Sequence, residues 1–181
     1  MANTGNCPAM GNILRGENCT ENLAGLGMTV YVGVKSDLET AMTASENTYS
    51  TPVFKSGKGL YRIDGKRESQ KYAWSSLGYQ KGYDLTGTLV HEVQTAESAI
   101  VDRALNNLDI FLIFVDEEKS LILYDHLRPL EADSGGITGD TGAAAEDDRL
   151  TTYEFHLKPA KYTRLYVTEP QEGWNSLLAT Q

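Results

Sequence analysis

Eight residues near the middle of the chain, Leu108–Val115, constrain its fold more than any other segment. Every residue after Asp109 in this run is apolar, so both faces of the element it forms need cover. Periodicity does not separate a strand from a buried helix here, but the length and the aromatic and β-branched content favour a strand. A strand buried on both faces needs a helix over one face and a second sheet or another subunit over the other.

The segment before this run predicts a strand followed by a helix. Apolar and polar residues alternate between Leu85 and Val93, which is the period of a strand with one packed and one solvated face. Thr95 is placed to cap a helix that extends to Asn106. Apolar residues recur along this helix at helical spacing: Ala96, Ile100, Val101, Ala104 and Leu105. The stripe predicts a short helix laid on a sheet.

Further strands are predicted from the same alternation of apolar and polar residues. They extend over Met28–Val34, Leu60–Asp64, Ser69–Ser75, Leu121–Tyr124, Thr151–Leu157 and Tyr162–Val167. We expect the ladder to stop at Lys158-Pro159, because proline has no N–H group to donate. Many strands and one clear helix predict a mainly β fold, either a β-sandwich or a small barrel with one flanking α-helix.

Composition along the chain predicts one β domain between two polar ends. The domain covers residues 27–168, after an N-terminal arm, 1–26, that is rich in Asn and Gly. Such an arm is either disordered or held by a neighbour. Residues 169–181 form a polar C-terminal tail, for which Trp174 is the predicted anchor.

Two stretches within the domain are predicted to be loops. In the long loop 35–59, Asp37–Met42 is compatible with a helical turn and Ser45–Pro52 has loop-like composition. The acidic Gly-rich loop 131–149 contains one apolar side chain larger than alanine, Ile137, so we expect no buried element there. Loops this long in a small β domain are usually functional or interaction elements.

Charge and hydropathy exclude several classes of partner. The 181 residues carry a formal net charge of −9, which argues against a basic nucleic-acid-binding surface. The sequence has no apolar run long enough for a membrane span and no basic-then-apolar N-terminus. We therefore expect no membrane segment, no secretory signal and a chain that is made inside a cell.

The usual patterns of catalytic residues are missing from the sequence. His91, His126 and His156 fall on separate predicted strands or strand ends, and none has the spacing that places two ligands on one helical face. There is no Gly-x-Ser-x-Gly elbow and no phosphate-binding glycine loop. The sequence therefore predicts no catalytic and no cofactor-binding residue, and we expect that the protein is not an enzyme.

The sequence contains candidate residues for a metal site and for a disulfide, but neither is favoured. The acidic loop offers the oxygen ligands that calcium prefers, at Asp133, Asp140, Glu146, Asp147 and Asp148. Their spacing matches no EF-hand, so a solvated loop is the favoured interpretation and no metal site is predicted. A disulfide between Cys7 and Cys19 is geometrically allowed, but free thiols are favoured in a reducing compartment.

The order of these elements resembles the major tail tube proteins of tailed bacteriophages and related injection machines. The resemblance covers most of the chain from Met28 to Leu157 as a pattern of elements. It lies in the arm before Met28, the loop Lys35–Gly59, the strand Leu85–Val90 leading into the helix Ala96–Asn106, the run Leu108–Ile113, the hairpin to Tyr124, the loop at Ser134-Gly135-Gly136 and the strand Thr151–Leu157.

The resemblance implies a structural virion protein. In that family six copies close into a ring, rings stack into a tube, and DNA passes through without specific binding. Edge strands would pair with neighbouring copies, the long loop and both termini would reach adjacent subunits, and an acidic lumen would repel the phosphate backbone. The implied partners are further copies and other tail proteins, and the implied location is the virion tail, after synthesis in the host cytoplasm.

Three alternatives remain open at the level of sequence. Another ring component of a phage tail or contractile injection system would have a similar pattern. A monomeric β-barrel that binds a small ligand would line a cavity with aromatic residues, of which tyrosine occurs ten times. A hydrolase with a dispersed active site would need convergent His and Asp side chains in one pocket, for which the sequence gives no positive sign.

Overall fold

Two β-sheets and one α-helix form the part of the chain that the computed structural model describes. The described residues are 26–92, 94–116, 119–132, 136–141 and 149–179. The strands are β1 (Thr29–Val34), β2 (Ala44–Ser45), β3 (Thr48–Tyr49), β4 (Tyr61–Asp64), β5 (Lys71–Ser76), β6 (Tyr83–His91), β7 (Ile110–Phe114), β8 (Leu121–Leu123), β9 (Ile137–Asp140), β10 (Leu150–Ala160) and β11 (Tyr166–Val167). The helix, α1, is Ala96–Asn107, and 3-10 turns occur at Lys35–Asp37 and Trp174–Leu177.

The sheets pack face to face as a sandwich. A seven-stranded sheet has the order β2-β3-β11-β8-β7-β1-β4, and a four-stranded sheet has the order β5-β6-β10-β9. Neighbouring strands are antiparallel except β3 and β11, which are parallel. The prediction of a mainly β fold with one flanking helix is confirmed, and the observed form is a β-sandwich.

The core lies between the two sheets. Val30 and Val32 of β1 lie opposite Phe114 and Leu112 of β7, and all four are buried. Gly87 lets β6 approach this layer, since a Cβ atom there would lie 2.5 Å from Leu123 Cδ1 and 2.8 Å from Phe114 Cζ. The small residue therefore sets how closely the sheets pack.

The outer face of the seven-stranded sheet is covered by irregular segments of the same chain. Phe54 from the long loop stacks on Phe111 with ring centroids 6.4 Å apart. Trp174 is buried beside Tyr31, and its Nε1 donates to Ser120 Oγ at 3.0 Å. The sequence predicts that the helix supplies cover for one face of β7. Loop 35–59 and the C-terminal segment do so instead, because Leu38, Met42, Phe54 and Trp174 provide the apolar side chains.

The C-terminal segment is therefore an integral part of the domain. Beyond the predicted anchor Trp174, Leu60 N–H donates to Leu177 O at 2.8 Å and Ala179 N–H donates to Leu60 O at 3.0 Å. These two bonds hold the segment beside the start of β4.

Helix α1 has the predicted start but not the predicted packing. Thr95 caps it through a reciprocal pair of bonds with Ser98, at 3.2 and 2.9 Å. Leu105 is 6% exposed, whereas Ile100 is 70% exposed and Val101 is 41% exposed. The prediction that the apolar stripe lies on a sheet is wrong for most of its length.

The structure also corrects three predicted irregular stretches. Strand β9 lies in the predicted loop 131–149, where its mostly exposed residues pair with β10 through the backbone. Strands β2 and β3 form a small hairpin in loop 35–59, and the turn predicted at Asp37–Met42 is a shorter 3-10 turn at Lys35–Asp37. Strand β10 continues past Pro159, because a register shift between Leu157 and Ala160 accommodates it.

None of the helices within the described ranges has the length and apolar content needed to span a membrane.

Candidate assembly surface

Within the part of the chain that the structure describes, the four-stranded sheet is open at both edges. Among the described residues, β5 pairs with β6 alone and β9 pairs with β10 alone. The outward edge of each strand presents backbone N–H and C=O groups that favour pairing with another strand. Because β5 and β9 lie at opposite edges of one sheet, the two edges can serve different neighbours.

The outer face of this sheet is polar. Register places Thr86 beside His156, Thr88 beside Glu154, and Thr138 beside Thr152 on that face. The inner-face neighbours in the same strands, such as Leu85 and Phe155, are buried. The alternation predicted for these strands is confirmed, with one face in the core and one face hydrophilic.

A small hydrogen-bond network lies at the centre of the polar face. His156 Nδ1 lies 3.0 Å from Asp84 Oδ1 and 3.2 Å from Thr86 Oγ1, and His156 Nε2 lies 3.4 Å from Glu154 Oε1. Nearby, Lys158 Nζ lies 3.4 Å from Glu131 Oε2. Hydrogen bonds and one ion pair therefore link polar side chains on this face.

Helix α1 begins beside the β9 edge. Gln94 Nε2 donates to Asp140 O at 2.9 Å and to Leu150 O at 3.1 Å. Further along, Tyr153 Oη donates to Asp102 Oδ1 at 2.5 Å, which ties the helix to β10. These bonds place the start of the helix beside β9 and β10, and Asp102 beside β10.

Exposed apolar groups lie on β5 and in the turn that follows it. Trp74 is exposed on β5, with the guanidinium carbon of Arg164 4.6 Å from its ring centroid. Leu77 and Tyr79 lie in the turn that joins β5 to β6, and Tyr79 is 89% exposed. Sequence reasoning missed these residues, although large apolar side chains in a Gly-containing turn are a visible signal.

Most of the sequence-based candidates for metal chemistry lie outside the described residues. Asp140 lies exposed on β9, and Asp133, Glu146, Asp147, Asp148, Cys7 and Cys19 lie outside the described residues. His91 contacts Asp64 O at 3.1 Å, His126 is exposed in the segment after β8, and His156 belongs to the network above. Within the part of the chain that the structure describes, no group of three or more His, Cys, Asp or Glu side chains is arranged to hold a metal ion.

Buried tyrosines make the domain sensitive to alkali. Burial raises the pKa of Tyr153, and its hydrogen bond to Asp102 raises it further. Burial likewise raises the pKa of Tyr72, whose hydroxyl accepts from Leu165 N–H at 3.3 Å. The folded protein therefore keeps these phenolic protons at a pH where the unfolded chain loses them.

We expect stability to fall as the pH rises above about 10, the pKa of an unfolded tyrosine. A Tyr153→Phe variant should lose about 1–3 kcal/mol at neutral pH, because Asp102 loses a buried donor, but show a weaker decline above about pH 10. Urea titrations across the pH range measure both effects. Tyr79→Phe is the matched control, since its side chain is exposed. Parallel declines for the wild type and Tyr153→Phe would contradict this assignment.

No family model matches the chain, and neither a curated protein nor a solved structure matches it.

Proposed function

We propose that this protein is a structural subunit that assembles into rings, which stack into the tube of a bacteriophage tail or a related injection apparatus. One observation carries the proposal: among the residues that the structure describes, the four-stranded sheet has an open strand at each of its two edges. A subunit with two different open edges joins copies head to tail, and such contacts close into a ring when the rotation between copies permits.

Pairing of the edge strands between copies would also prevent aggregation through those strands. Open strands of four and six residues in a stable fold invite uncontrolled pairing with other chains. Pairing β5 of one copy with β9 of the next satisfies both edges by a specific contact. In a closed ring no open edge of this sheet is left.

The polar outer face of the same sheet suits the wall of a channel for DNA. It carries threonine hydroxyls, His156 lies 3.0 Å from Asp84, and Lys158 lies 3.4 Å from Glu131. Phosphate groups are held by clustered Lys and Arg side chains, so a face on which Lys158 is paired and Lys71 lies apart from it on β5 lets DNA pass without binding tightly. The net charge of −9 adds repulsion over a longer range.

Assembly in solution tests the proposal. Purified protein should form rings or tubes with a central hole in negative-stain electron microscopy, and light scattering should give a mass that is a multiple of the 19.9 kDa chain. Six copies per ring are expected from the resemblance to tail tubes. Single rings that do not stack would favour another ring component of a tail, and a monomer at every concentration would overturn the proposal.

A further inference from the structure

One end of the four-stranded sheet has a local excess of basic residues. The turn from β5 to β6 lies there beside the end of β10. The two segments that meet, 74–83 and 159–168, contain no Asp or Glu, although the whole chain has a net charge of −9. We call their three exposed cations the basic cluster: Lys81, Lys161 and Arg164.

Packing of the backbone gathers the basic cluster. Lys81 precedes a glycine whose Cβ atom, if it had one, would lie 2.6 Å from Ala160 O, and Lys161 follows that alanine. Arg164 reaches β5, where its guanidinium carbon lies 4.6 Å from the ring centroid of Trp74. All three cations therefore belong to the same end of the sheet.

Aromatic rings hold two of these cations in place. Besides the stack of Arg164 on Trp74, Lys161 Nζ lies 5.2 Å from the ring centroid of Tyr162. A guanidinium that stacks on a ring keeps its N–H donors in its own plane, where they match the two oxygens of a carboxylate. Because the rings orient the cations in advance, less side-chain freedom is lost when an anion binds.

None of the described residues provides an ion-pair partner for the basic cluster. Asp84, the acidic residue closest to Lys81 along the chain, has its Oδ1 3.0 Å from His156 Nδ1. Asn47 Nδ2 donates to Arg164 O, and the adjacent Glu46 is exposed without an ion pair to the described cations. Other cations of the domain do have carboxylates within 4.0 Å: Lys35, Lys58, Arg62, Lys66, Arg67 and Lys158. The unpaired positive charge therefore favours an anionic partner.

Exposed apolar side chains lie in the same turn as Lys81. Tyr79 is 89% exposed, and Leu77, whose N–H donates to Gly82 O at 3.0 Å, is 38% exposed. Interfaces combine an apolar centre with polar contacts around it. A partner at this end of the sheet therefore gains from apolar groups as well as from carboxylates.

A protein segment fits these features better than a nucleic acid does. Proteins that hold single strands stack successive bases on free aromatic faces and follow the phosphates with a basic groove. Here Trp74 and Tyr162 each have a cation over the ring, and the net charge of the chain repels a polyphosphate over a longer range. A short acidic segment carries fewer charges and is repelled less.

We propose that the basic cluster docks an acidic peptide segment of another protein chain. The carboxylates of that segment pair with Arg164, Lys161 and Lys81, and its apolar side chains pack on Tyr79. This interaction does not depend on tube assembly, because it uses side chains at the end of the sheet and not the backbone groups of the open edges.

Fluorescence anisotropy with a labelled peptide tests the proposal. The probe is a peptide of glutamate with leucine at every third position, and its neutral counterpart has glutamine in place of glutamate. The acidic probe should bind the wild type, and the neutral one should not. Salt should weaken the binding, because the charges are exposed.

Variants assign the binding to the basic cluster. A chain with both Arg164→Gln and Lys161→Gln should bind the acidic probe at least about tenfold more weakly, because two ion pairs are lost. Its melting temperature should stay within a few degrees of the wild type. A chain with both Arg67→Gln and Arg103→Gln is the matched control, because it removes the same charge from exposed side chains elsewhere.

Three results would overturn the inference. The wild type could fail to bind the acidic probe, or the chain with Arg164→Gln and Lys161→Gln could bind it as tightly as the wild type does. Tighter binding of a single-stranded oligothymidylate than of the acidic probe would assign the basic cluster to nucleic acid instead. Micrographs of the same proteins measure tube assembly separately, so failure of the docking and failure of the tube are distinguishable.

Discussion

An Ile110→Asp variant is expected not to fold. Ile110 is 2% exposed in β7, where it pairs with Val34 across the seven-stranded sheet and faces the core. Burying an unpaired carboxylate there costs about 3–5 kcal/mol or more, and the loss of apolar packing adds to this cost. The sum approaches the whole stability of a typical domain, about 5–15 kcal/mol.

Circular dichroism and the yield of soluble protein measure this effect. Ile100→Asp is the matched control, because it makes the same chemical change at a side chain that is 70% exposed. We expect the control to be soluble with a melting temperature near that of the wild type. A soluble Ile110→Asp protein with a cooperative melting transition would show that the core has been placed wrongly.

Removal of residues 1–24 is expected to leave a folded domain that assembles poorly. Strand β1 begins at Thr29, and Gly27 N–H donates to Val115 O at 2.8 Å, so the contacts that join the start of the described chain to the sandwich are kept. A polar arm with few large apolar residues has no core of its own and gains order from neighbours. We expect the concentration needed for assembly to rise at least about tenfold, which corresponds to ~1.4 kcal/mol.

Sedimentation or light scattering over a concentration series measures the loss of assembly. A full-length chain with Ile13→Ser and Leu14→Ser separates the effect of arm length from that of its apolar residues. If the truncated and full-length proteins assemble at the same concentration, the arm has no part in assembly.

Side-chain periodicity explains which parts of the fold could be predicted. The alternation of apolar and polar residues in β6 and β10 predicted both strands and the face of each that packs in the core. Thr95 predicted the first residue of the helix. Strand β9 could not be predicted, because it pairs at an edge through backbone groups and leaves its side chains in solvent. The cover supplied by Leu38, Met42 and Phe54 was missed for a related reason: their spacing follows no regular period.

The candidate assembly surface depends on features that residue spacing does not determine. Ile100 and Val101 were predicted correctly to lie on one side of the helix. The helical period of apolar residues does not determine what that side contacts. The orientation of the helix is set by Leu105, which is buried in the core, and by the bond between Asp102 and Tyr153. These contacts turn the side that carries Ile100 to solvent. The open edges of β5 and β9 depend on strand order, which distant parts of the chain determine together.

Burial of Trp174 has a consequence for synthesis of the protein. The ribosome makes the strands of both sheets before it reaches this residue, so the outer face of the seven-stranded sheet stays partly bare while the nascent chain grows. Tyr31 and Ser120 gain their cover only when Trp174 has emerged. A message broken between the codons for Val167 and Trp174 would therefore yield an incomplete domain with exposed apolar surface, which chaperones and proteases recognise.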